Sequence, residues 1–117
     1  MPTTGSLGVT LPPALLPTDG GRNDEAARRR STALRPVPGT PPTLVQACRN
    51  ALAVAAASYG GVQVEAVSAG EAQALEDGTI SAPVAARITY ARGRLRQIRA
   101  AEVDCRLDGD GQVVATL

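Results

Sequence analysis

Eight of the chain's nine prolines lie before Thr43, and this asymmetry decides where a fold can form. Proline fixes φ and has no N–H, so it is excluded from helix interiors and from the middle of sheets. Pro and Gly together fill 13 of the first 42 positions, a level that belongs to low-complexity chain. Residues 1–42 therefore read as a disordered, flexible arm, and residues 43–117 as a single small domain. A domain of roughly 75 residues buries only about 60% of its unfolded surface and needs reinforcement.

Within the arm, Asn23 could cap a short helix over residues 23–34, with Asp24 and Glu25 at its positive end and Arg28, Arg29 and Arg30 further along. Such a helix is too short to stand alone. Residues 35–42 carry four prolines and read as an extended linker. The first 21 residues make a poor signal peptide, because no Arg precedes Arg22 and the apolar run from Leu7 to Leu16 is broken by Pro12 and Pro13. No run approaches the roughly 18 apolar residues of a membrane span.

The domain should begin with a helix over residues 43–59, in which Thr43 and Gln46 have capping-box spacing. Leu44, Cys48, Leu52, Ala55 and Tyr59 recur at helical spacing, and Gly60-Gly61 supplies the stop. Val62, Val64 and Ala66 alternate with polar residues as in a half-buried strand. Residues 68–78 read as a loop with local helix. The even positions from Ala82 to Tyr90 form a second strand, which Pro83 places at an edge. Arg92-Gly93 makes a tight turn into a third strand, where Leu95, Ala101, Val103, Cys105 and Leu107 share one parity and Ile98 has the other, so a bulge is expected near residues 97–100. Asp108-Gly109-Asp110-Gly111 is a turn before a short last strand. The fold class is α+β: one helix packed on a three- to four-stranded antiparallel meander, preceded by the arm.

Cys48 lies on the apolar stripe of the helix and Cys105 on the core-facing parity of a strand, so both point into one interior. A bond between them would close a loop of 57 residues, worth about 4 kcal/mol in the chain-entropy model. Two free buried thiols acting as small hydrophobes are the alternative. Ala47-Cys48-Arg49 in a lone helix, strands, and then Val103-Asp104-Cys105-Arg106-Leu107 before a Gly turn and a Val-rich end resemble small bacterial periplasmic domains of unassigned activity, over residues 43–117 only. The resemblance implies a periplasmic or secreted location and one disulfide. With free thiols, the expected location is cytoplasmic.

The chain has no His, Phe or Trp. Without His there is no Ser-His or Cys-His pair, and two cysteines cannot complete a structural zinc site. Glu65, Glu71, Glu76, Asp77 and Glu102 are the candidates for a carboxylate pair, but no spacing sets any two at a working separation. The Asp108 turn starts like a calcium loop and lacks its twelfth-position Glu. No catalytic residue, metal ligand or cofactor is called for. The arm has five Arg against three acids and the domain seven Arg against eight acids, so neither implies a nucleic-acid partner.

Two contact surfaces remain. Arg92, Arg94, Arg96 and Arg99 around the hairpin, with Arg87 nearby, could present a guanidinium row to an anionic ligand or partner. Leu11, Leu15 and Leu16, with Arg28, Arg29 and Arg30, could fold from the arm onto a partner chain. The leading expectation is a non-enzymatic interaction or accessory subunit whose arm docks on a protein partner. The alternative is a periplasmic binding or inhibitory module that uses the Arg hairpin. An enzyme is the third and least supported class.

Overall fold

The computed structural model describes residues 9–17 and 34–117. Residues 23–33 of the expected arm helix lie outside them, and Leu34 is not helical. A 3-10 turn at Pro13–Leu15 comes first, followed by α1 (Pro42–Ala57), β1 (Gly61–Ser68), β2 (Gln73–Ala74), β3 (Ile80–Arg92), β4 (Leu95–Leu107) and β5 (Val113–Thr116). The α+β class holds, with five strands in one antiparallel sheet ordered β1-β3-β4-β5. The extra strand is β2, which pairs with Ser81 and Ile80 beyond the point where β1 leaves β3.

Alternation builds the core. On β3, Ala82, Val84, Ala86, Ile88 and Tyr90 are buried, and on β4 their counterparts include Val103, Cys105 and Leu107. Over this inner face α1 lays Cys48, Ala51, Leu52 and Ala56. The expected disulfide is present: Cys48 and Cys105, both fully buried, are bonded with their Cα atoms 6.2 Å apart.

Several expectations are corrected. α1 starts one residue early, with Pro42 inside the first turn and Pro41 as N-cap, and no side chain caps it. Proline suits this place because its missing N–H would have had no partner there. At the other end Gly61 is required by contact: a Cβ on it would lie 2.7 Å from that of Ala56. The expected bulge near residues 97–100 is absent, since β3 and β4 pair without a shift from Ile80↔Leu107 to Arg92↔Leu95. The inner row simply continues through Arg99 and Gln97, and Ile98 faces outward. The loop with local helix is instead β2 and a turn in which Leu75 and Thr79 are joined by a backbone hydrogen bond.

Pro83 sits in a central strand, opposite Asp104, and not at an edge. Its carbonyl accepts from the Ala69 N–H, so the side where its own N–H would lie faces away from β4, toward the break between β1 and β2. The ladder loses nothing there, which is the condition under which a sheet tolerates proline.

The arm also needs correcting. Val9, Leu11 and Leu15 belong to the same core as the helix and sheet. Residues 34–41 are tied down as well: Val37 bridges to Ala69, and its N–H donates to the Ser68 carbonyl. The buried Thr40 donates its amide to Ser68 Oγ and its hydroxyl to the Gly70 carbonyl. Proline density misleads here because side-chain burial and tertiary hydrogen bonds can order an extended chain that has no repeating structure of its own.

Candidate interaction surface

The sheet has two faces, and only one is covered by described elements. Pairing partners in an antiparallel sheet share a face. The outer face therefore carries three rows across β1, β3 and β4: Gln63–Thr89–Ile98, Glu65–Arg87–Ala100 and Val67–Ala85–Glu102. Further along, Pro83–Asp104 and Ser81–Arg106 extend it. Charges on this face are mostly consumed locally. Arg87 bonds Glu65, with Nε donating to Oε1 at 2.6 Å. Asp104 accepts from Ser81 Oγ at 2.5 Å and from Arg106 Nε at 3.2 Å. Among these ladders Val67, Ala85 and Ile98 are only partly buried, and Ala100 and Glu102 are exposed. The result is a surface of apolar positions, Val67, Ala85, Ile98 and Ala100, framed by satisfied ion pairs.

This register splits the arginine row. Arg94 lies in the hairpin turn beside Gly93, whose positive φ of 67° suits the first position of a two-residue loop. Arg94 and Arg96 are exposed, and Arg96 shares the outer face with Arg87. Arg87 is committed to Glu65. Arg99 pairs with Ile88 and so faces inward, and its Nε is buried without a hydrogen-bond partner. The side chain of Arg92 lies outside the described ones. A single guanidinium row of all five is therefore not formed.

Of the arm residues, Leu11 and Leu15 are buried in their own chain's core and Leu16 packs against it, so these three are not free to dock elsewhere in this state. Arg28, Arg29 and Arg30 lie outside the described residues. Tyr90, fully buried, donates its phenol O–H to the Leu15 carbonyl at 2.6 Å. Burial pushes its pKa up to about 12, partly opposed by the nearby Arg99 charge. The Thr116 hydroxyl donates to the Thr10 carbonyl at 2.7 Å. Sequence reasoning missed this role for Tyr90. The available signal was that no charged residue occurs before Asp19, although disordered chain is normally rich in charge.

The candidate acids are dispersed. Glu65 serves Arg87, Asp77 serves its turn, and Glu71, Glu76 and Glu102 are exposed. The Thr79 hydroxyl and amide hold the Asp77 carboxyl below its ordinary pKa. Asp108 Oδ1 accepts from the amides of Asp110 and Gln112, so this loop is an Asx-type turn. Among the described residues no three of His, Cys, Asp and Glu gather to hold a metal ion. Nor, among them, is any helix long and apolar enough to cross a membrane. Comparison with protein-family models, with curated proteins and with solved structures finds no match for this chain.

Proposed function

We propose that the chain is a non-enzymatic interaction module of an oxidising compartment, and that it meets a protein partner with the outer face of its sheet. The observation that carries this reading is the one-sided sheet: its inner face is closed by α1 and residues 9–16, while no described element covers rows such as Val67–Ala85–Glu102. Ion pairs that are already satisfied cost little to cover, and small side chains between them allow close approach. The buried Cys48–Cys105 bond supports the compartment, since such bonds persist where glutathione and thioredoxin do not reduce them. The resemblance of residues 43–117 to small periplasmic domains points the same way.

The partner is a protein and not a polyanion. The outer face mixes Arg87, Arg96 and Arg106 with Glu65, Glu102 and Asp104, so no single sign of charge dominates it. The test is differential capture from an extracytoplasmic extract of the source organism. Ala100→Glu, on the outer face and opposite Arg87, adds a bulky charge without setting two cations against each other, and should abolish capture of the partner without lowering the melting temperature. Ala57→Arg, on exposed helix surface, should leave capture intact. Equal capture by both variants rejects the reading.

A further inference from the structure

The chain has two aromatic residues, Tyr59 and Tyr90, and both stand against the same short stretch, residues 9–16. Tyr90 holds the Leu15 carbonyl, and the exposed Tyr59 ring lines an open cleft of about 230 Å³ with Val9, Thr10 and Leu11. The stretch has polyproline backbone on either side of its 3-10 turn, with φ −61° and ψ 149° at Pro12 and φ −72° and ψ 146° at Leu16. A polyproline backbone makes no internal hydrogen bonds, so its carbonyls are offered to outside donors. Here the hydroxyls of Tyr90 and Thr116 take two carbonyls of the stretch, that of Leu15 at the end of the 3-10 turn and that of Thr10 before it, while the Pro12 carbonyl accepts internally from the Leu15 N–H.

The manner of attachment is that of a ligand. Among the described residues, the backbone hydrogen bonds of this stretch are internal, from Leu15 to Pro12 and from Leu16 to Pro13. Residues 34–41, by contrast, join the sheet through backbone bonds such as Val37 to Ser68 and Ala72 to Gly39. Side-chain donors, aromatic rings and pockets for alternate apolar residues are how domains grip proline-rich peptides.

We propose that residues 9–16 are a tethered occupant of a proline-peptide groove, and that the same stretch of a second copy takes this place in exchange. The groove lies across the sheet from the proposed partner face, so it is a separate surface. Every copy carries the matching sequence, and no charged residue precedes Asp19 to oppose its transfer. The tether is residues 18–33, which at full extension reach about 55 Å, more than the 43 Å longest dimension of the molecule. Exchange of a tethered element between identical chains is a low-cost route to a dimer.

The test uses the full chain with a thrombin site inserted between Gly20 and Gly21. After cleavage, a labelled synthetic peptide of residues 9–17 should displace the native fragment, read as a rise in fluorescence anisotropy, and the same peptide with Leu15→Asp should not. Uncut chains, one isotopically labelled, should form mixed dimers on concentration, seen by native mass spectrometry; each chain keeps one Tyr90–Leu15 bond in monomer and dimer alike, so Tyr90→Phe should speed their formation and leave their final fraction unchanged. A fragment that resists an excess of peptide, loss of the fold when it leaves, or a chain that stays monomeric at every concentration each overturns the proposal.

Discussion

Replacing Cys48 and Cys105 together by Ala removes a cross-link that closes a loop of 57 residues. The chain-entropy model puts this at about 4 kcal/mol. Each replacement also deletes a sulfur from a fully buried position, at about 1 kcal/mol apiece on the scale of a buried methylene. The combined loss of about 6 kcal/mol meets a total stability of about 5 to 15 kcal/mol for a typical domain, so the double variant sits at the edge of folding. Urea unfolding followed by circular dichroism measures it, and the reduced wild type is the informative control because it breaks the link while keeping both sulfurs. With a slope of about 1 to 1.5 kcal/mol/M, reduction should lower the midpoint by about 3 M, and the double variant should fall further. If reduction leaves the midpoint within about 0.5 M of the oxidised protein, the link does not constrain the unfolded chain and the reasoning fails.

Other perturbations follow from single contacts. Leu15→Ala should destabilise by about 2 to 5 kcal/mol in thermal or urea unfolding, because its side chain is fully buried. Tyr90→Phe leaves the Leu15 carbonyl without its donor, at about 1 to 3 kcal/mol. Because the folded Tyr90 pKa is raised from 10 to about 12, the folded state keeps its proton longer than the unfolded state. Stability should therefore be full below pH 10 and fall as pH rises toward 12, and Tyr90→Phe should flatten that fall. Gly61→Ala forces a Cβ against Ala56 and should cost about 1 to 3 kcal/mol. A double-mutant cycle on Glu65 and Arg87, which are both partly exposed, should return no more than about 1 kcal/mol.

The regular elements were legible because their signals are periodic. Even positions from Ala82 to Tyr90 fix the inner face of β3, and helical spacing places Cys48 over Cys105. β2 was not legible, since two residues cannot show a period. Arg99 and Gln97 disguised the inner row of β4: they pair with Ile88 and Tyr90 and so continue its inward face toward the hairpin end with polar side chains. Val9, Leu11 and Leu15 read from sequence as loose arm because irregular chain has no periodicity, and burial there is decided by tertiary contacts alone. The outer face is half legible: the apolar even positions from Ala82 to Tyr90 leave Arg87 and Thr89 pointing away from the core, but the rows they join require the register of three strands.

A sheet closed on one side and open on the other underlies the proposed partner face. Solvent paramagnetic relaxation of methyl signals in the oxidised full chain tests this directly. Strong enhancement is expected for Val67, Ala85, Ile98 and Ala100, and protection for Leu11, Leu15, Ile88 and Val103. Outer methyls as protected as Ile88, or a Leu15 as accessible as Ile98, would contradict it.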